Sequence, residues 1–155
     1  MKKINRKAIL GILLGIFIVM QFWRIDKTNP PVDKKLDFIE ITKPSKEIAT
    51  MLKDACYDCH SHEVKYPWYT NVAPVSWWVK DHINHGIDEM NFSEWGNYKP
   101  KKANHKLEES YEKVEKKEMP LTPYLIAHSS ARLTEEQRAE LVAFFKSKMT
   151  EELPF

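Results

Sequence analysis

Apolar residues are spread unevenly along this chain. From Ala8 to Trp23, sixteen consecutive positions carry no charge (AILGILLGIFIVMQFW), and the run is apolar all round rather than on one face. Lys2, Lys3, Arg6 and Lys7 precede it. A basic stretch followed by an apolar run is the layout of an export signal, and Met20-Gln21-Phe22-Trp23-Arg24 offers no small-x-small cleavage site. The pattern predicts a basic cytoplasmic tail over 1–7 and an uncleaved transmembrane signal anchor over 8–23, with Phe22 and Trp23 at the far interface. The run is short of the ~20 residues of a full span. Gly11 and Gly15 form a GxxxG pair, which small residues within a span explain without a dimer.

Beyond the anchor the pattern turns polar. Residues 24–44, with Pro30-Pro31, read as a stalk or linker. Ser45 is placed to cap a helix whose Ile48, Met51, Leu52 and Ala55 fall at i, i+3, i+4, i+7. A second helix is predicted over 71–87, where Val75, Trp78, Val79 and His82 share a face, as do Trp78, His82 and His85. Asn91 to Trp95 reads as a loop or short helix turning aromatics inward. Charged residues at helical spacing predict another helix over 106–118. Thr134, with Gln137 at the capping-box position, opens a last helix with Leu141, Val142, Phe144 and Phe145 on its apolar side. That helix is expected to pack against the one leading into Cys56. Residues 149–155 read as a frayed tail.

Composition narrows the function classes. A chain of 155 residues holds one modest domain plus an appendage. With 24 Lys+Arg against 22 Asp+Glu, the net charge of +2 excludes the markedly basic surface of a nucleic-acid binder. The distribution sharpens this. Four basic residues precede the anchor, leaving 20 basic against 22 acidic, so the exported part is formally −2. Seven lysines between Lys99 and Lys117 alternate with glutamates, the pattern of a solvated helix face more than of a docking patch. No glycine-rich loop suggests a nucleotide, and no Ser-His-Asp set follows from spacing.

The two cysteines of the chain lie in Cys56-Tyr57-Asp58-Cys59-His60. CxxCH is the attachment motif of c-type haem. Cysteines at i and i+3 lie on one side of a helical turn, so both thiols reach the vinyl groups on one haem edge, and the following histidine offers its imidazole to iron. Three plainer readings compete. A redox dithiol wants a βαβ context that is missing. A structural zinc needs two further ligands with no second pair in view. A disulfide across so short a loop constrains little. The motif therefore predicts one covalent haem c held by Cys56 and Cys59, with His60 as the axial metal ligand.

The sixth position on iron has several candidates: Met90, Met119, His62, His82, His85, His105 and His128. His62 is too near His60 in sequence to reach the opposite face easily. Met119 precedes Pro120 after the charged run, and an extended Met-Pro step presents its thioether without a helix over it. Met119 is the leading ligand, with His82 and His85 next. Trp77 and Trp78 read as a haem wall, against plain aromatic core, and His82 as a propionate contact, against a solvated or core histidine.

The stretch resembles the bacterial haem-binding domain family of membrane-anchored monohaem cytochromes c. The resemblance rests on C-Y-D-C-H-S-H at 56–62, Tyr66-Pro67-Trp68-Tyr69, Pro74-Val75-Ser76-Trp77-Trp78 and Asp81-His82-Ile83. Met90-Asn91-Phe92-Ser93-Glu94-Trp95, Met119-Pro120 with Tyr124, and Ala131-Arg132-Leu133-Thr134-Glu135 extend it over about 45–148. It implies an all-α, cytochrome-c-like domain with His60 and Met119 axial. The expected protein is an electron carrier in the bacterial inner membrane, its domain in the periplasm and its partner an unidentified redox protein. A haem-based small-ligand sensor and a peroxidase-like enzyme with an open distal face are the alternatives.

Overall fold

The computed structural model describes residues 5–150, and every element among them is helical. Lys2 and Lys3 of the predicted basic tail, and 151–155 of the predicted C-terminal tail, lie outside the described residues. The first helix, α1 (Arg6–Met20), is capped by Asn5, and none of its residues is buried. It is about 22 Å long. No helix among the described residues is long and apolar enough to cross a membrane.

The stretch after α1 is less of a linker than its polarity suggested. Asp37 caps a short helix, α2 (Phe38–Thr42), by accepting from the backbone N–H groups of Ile39 and Glu40. Phe38 is wholly buried, packed on Phe92 and Trp95 with ring centroids 5.0 and 4.6 Å away. Charge on Asp33, Lys34, Lys35 and Asp37 hides Phe38, and Ile39 and Ile41 pack against the same core, so from Asp33 onward the chain folds onto the domain.

Helix α3 (Lys46–Ala55) begins at Ser45, whose Oγ accepts from the Ile48 N–H, and buries Ile48, Met51 and Leu52 as the spacing predicts. A break at Cys56 leads into a single turn, α4 (Tyr57–His60). A 3-10 turn (Trp68–Asn71) precedes α5 (Val75–Glu89), which starts after Pro74 rather than at Asn71. A further 3-10 segment, Phe92–Asn97, carries the fully buried Phe92 and Trp95.

Helix α6 (Pro100–Glu115) starts earlier than its charge pattern indicated. Pro100 fits the first turn, where its missing N–H costs nothing, and Ala103, Leu107 and Val114 face the core. Helix α7 (Thr122–Ala127) is short. In α8 (Glu135–Thr150) the capping box is formed: Gln137 N–H donates to Thr134 Oγ1 at 3.2 Å, and Thr134 N–H donates to Gln137 Oε1 at 2.9 Å. Met149, assigned to a frayed tail, continues α8 and packs against the core. Helix α8 lies mainly along α6 and only secondarily against α3. The segment carrying the cysteines is therefore steadied by other contacts, described next.

Candidate functional site

The two residues between the cysteines fix the motif in place. Tyr57 is buried, stacks on Phe92 with centroids 5.0 Å apart, and donates from its hydroxyl to the Asp37 carboxylate at 3.2 Å. Lys53 lies over the other face of its ring, 3.9 Å from the centroid. Burial first, and then the Asp37 charge, push the Tyr57 phenol well above its ordinary range. Asp58 is also buried. It accepts from Tyr124 Oη at 2.8 Å and from the Lys65 N–H at 3.3 Å. The motif is thus pinned toward the core on one side and toward α7 on the other.

His60 is oriented by backbone carbonyls. Its Nδ1 lies 2.8 Å from the Gly86 oxygen and 3.2 Å from the Met90 oxygen. Carbonyls only accept, so Nδ1 carries the proton and Nε2 keeps a free lone pair. No described residue hydrogen-bonds Nε2. Burial holds the imidazole below its ordinary pKa against the opposing pull of the two carbonyls. A neutral ring with one nitrogen tethered and the other bare is the form that ligates a metal.

This arrangement depends on Gly86. A Cβ there would stand 2.6 Å from the Cys59 carbonyl oxygen, so α4 and α5 meet backbone to backbone. By position Gly86 falls one residue before the end of the helix predicted over 71–87. A glycine inside a helical pattern is the signal that could have marked it.

Cys59 lines an apolar cleft of about 210 Å³. One wall is α5, through Val75, Trp78, Val79, His82 and Ile83, and the facing wall is Leu121 with α7 and His128. Trp78 and His82 are therefore brought to the same cleft as Cys59. Trp77 and His85 are not among the residues that line it. Val75, Trp78 and Ile126 are strongly exposed, an apolar surface of the kind that marks a ligand site. Cys56 packs toward the hydrophobic core instead.

Met119 is half-buried and does not line the cleft, although Leu121, two residues on, does. Its carbonyl accepts from Arg138 Nη1 at 3.0 Å, and its N–H donates to the Lys113 carbonyl at 3.2 Å. Met90 faces elsewhere, its sulfur accepting from Ser110 Oγ at 3.3 Å. His62 is engaged by Asn91 Nδ2 at 2.7 Å, and His105 sits on the exposed face of α6 beside Glu109. His128 was only one of many candidates by sequence, yet it lines the cleft. It stacks on Tyr124 with centroids 3.8 Å apart, its Nδ1 donates to the Tyr124 carbonyl at 2.9 Å, and its Nε2 accepts from Tyr69 Oη at 3.3 Å.

The competing readings of the cysteines fare poorly against this geometry. Burial pushes Cys56 up to about 12 and Cys59 up to about 11, so neither is the activated thiolate of a redox dithiol. Among the described residues no group of three or more His, Cys, Asp and Glu is arranged to hold a metal ion, which leaves structural zinc without its ligand set. The donors that haem calls for are present, a tethered imidazole with a bare Nε2 next to a cysteine at an open apolar cleft. Of the four predicted ligands Cys59 lines that cleft, while Cys56, His60 and Met119 are not among its lining residues. Comparison with protein-family models matches residues 15–147 to a haem-binding domain. Searches of curated proteins and of solved structures returned no match. The matched span covers most of the chain, from within α1 to near the end of α8, and contains every residue of the site just described, so this chain belongs to the haem-binding domain family.

Proposed function

We propose that this haem-binding protein is a membrane-anchored, monohaem c-type cytochrome that carries single electrons. The observation that carries the reading is the His60–Gly86 tether beside Cys59, in a CxxCH turn at an open apolar cleft. Haem iron, when bound, supplies a one-electron Fe(III)/Fe(II) couple. Cys56 and Cys59 would hold the haem through thioether links to its vinyl groups. His60 would hold the metal through Nε2, its ring oriented by the Gly86 and Met90 carbonyls. Met119 would supply the second protein ligand to the iron in this reading. It lies beside the cleft-lining Leu121, and Arg138 and Lys113 hold its backbone. A soft thioether favours Fe(II) and raises the potential. Trp78, Val79, Ile83 and Ile126 exclude water, and His82 is placed on the same wall for a propionate.

Membrane anchoring is supported by α1, whose large apolar side chains from Ile9 to Val19 are exposed and none of whose residues is buried. An apolar helix of this kind inserts into lipid, and a span shorter than the hydrocarbon core is met by local thinning and by snorkelling of flanking cations. The basic end then lies in the cytoplasm and the domain in the periplasm of a bacterial inner membrane. The partner is a redox protein.

The deciding experiment is haem staining of the full chain on a denaturing gel after production with a haem-attachment system. Colour that travels with the polypeptide, and is lost in a Cys56→Ser, Cys59→Ser double variant, is the expected result. Colour that dissociates on denaturation overturns covalent attachment while leaving haem binding intact. A high-spin ferric spectrum that shifts with cyanide overturns the electron-carrier reading in favour of an open-site sensor or peroxidase.

A further inference from the structure

Four large aromatic side chains stand exposed and take no part in the cleft. Phe22, Trp23, Trp68 and Trp77 are 81%, 66%, 78% and 37% exposed. They are tied to one junction. Gln21, which ends α1, turns its amide onto the backbone of Ala73: the Ala73 N–H donates to Oε1 at 2.9 Å, and Nε2 donates to the Ala73 carbonyl at 3.1 Å. Trp77 Nε1 donates to the Trp23 carbonyl at 2.8 Å. Lys27 Nζ donates to Asn71 Oδ1 at 2.6 Å, in the turn that carries Trp68.

We propose that this junction is a membrane seat, in which Trp68, Trp77 and the start of α5 rest in the interfacial zone of the bilayer that receives α1. The proposal rests on reading α1 as the anchor. Given that reading, the geometry leaves no spacer: the residue that ends α1 is hydrogen-bonded to Ala73, so Ala73 lies at the depth of the helix end. Indole rings, apolar in body with one polar N–H, are favoured at that depth. Arg24 is exposed beside Trp23, and Lys27 and Lys80 both lie near the ring of Tyr66, which puts cations where anionic headgroups sit. The nearby acid, Asp26, is occupied with the Thr28 N–H at 2.8 Å. Val75, two residues beyond Ala73, lines the cleft. The cleft therefore opens at the membrane surface, where a partner arrives by lateral diffusion, and the domain does not swing on a stalk.

The test uses full-length, haem-loaded protein in vesicles of phosphatidylcholine and phosphatidylglycerol containing a phospholipid with a diazirine at the headgroup–acyl boundary. After irradiation and digestion, mass spectrometry maps the labelled peptides. Labelling of the Trp68 and Trp77 peptides several-fold above that of α8 is expected. Labelling confined to α1 and its immediate end overturns the seat and leaves the anchor intact, whereas failure to float with the vesicles overturns the anchor and the seat together. Gln21→Ala removes both contacts to Ala73, together with the amide's bond to the Phe17 carbonyl, and keeps the apolar run of α1. It should lower labelling at Trp68 and Trp77 with flotation unchanged, and undiminished labelling there overturns the lock between Gln21 and Ala73.

Discussion

Tyr124 donates a hydrogen bond to Asp58 across 2.8 Å, tying the residue between the two cysteines to the helix that forms the far wall of the cleft. Helix α7 is short and contributes little to the core, so this bond matters more to the cleft than its single contact implies. The Asp58 carboxylate is buried, and a buried acceptor that loses its donor bears the full cost of desolvation.

Tyr124→Phe removes only the hydroxyl. Thermal unfolding of the haem-loaded chain should show a loss of roughly 1–3 kcal/mol, the range for a buried acceptor left without its donor. A change of no more than a few tenths of a kcal/mol would mean that α7 is held by packing alone.

Gly86→Ala separates two physical effects of opposite sign. Helix propensity alone favours alanine by about 1 kcal/mol. The added Cβ, 2.6 Å from the Cys59 oxygen, forces backbone from backbone and should cost about 1–3 kcal/mol. The variant is expected to melt earlier and to stain more weakly for haem, because the shift displaces His60 from its carbonyl tether. A stabilised variant would refute the close approach.

Phe38 tests where the domain begins. It is wholly buried among Phe92, Trp95 and Phe145. Phe38→Ala should cost about 3–5 kcal/mol in a urea melt. A chain beginning at Ser45 should fail to show cooperative unfolding, and a normal melt from that truncation would return residues 33–43 to the status of a linker.

Met119→Ala addresses the sixth ligand. The weak far-red absorption of a ferric Met–iron bond should disappear, leaving a high-spin spectrum. If the band persists, Met119 is not the ligand. If the wild-type chain is low-spin without that band, His128→Ala and His82→Ala become the informative variants, since both histidines line the cleft.

Alkaline pH should weaken the fold through its buried phenols. Burial, with the Asp37 and Asp58 carboxylates adding to it, holds Tyr57 and Tyr124 well above their ordinary range. The unfolded chain releases these protons near pH 10 while the folded chain keeps them. Their contribution is thus complete below that pH and is lost as pH rises further. Urea midpoints should fall between about pH 9 and about pH 11, and fall less steeply in a Tyr57→Phe, Tyr124→Phe double variant.

Much of this protein is local in origin, and for that reason legible along the chain. Helix starts at Ser45 and Thr134 depend on side chains within three residues, and CxxCH places its thiols by the pitch of one turn. The apolar faces of α3 and α8 follow from periodicity. Other features depend on residues far apart in sequence. Phe38 enters the core because Phe92 and Trp95 meet it there, and no pattern among its charged neighbours records that. The free Nε2 of His60 exists because Gly86, twenty-six residues on, offers a carbonyl and lacks a side chain. His128 joins the cleft only when α7 folds back toward Asp58, and the end of α1 meets Ala73 only in three dimensions. Neighbours along the chain are enough to set the capped helices α3 and α8 and the spacing of the haem motif, whereas α2 and α7 form where distant residues hold them. Tertiary structure alone decided which nitrogen stays bare, what lines the cleft and where the domain begins, because each is settled by a contact between distant segments.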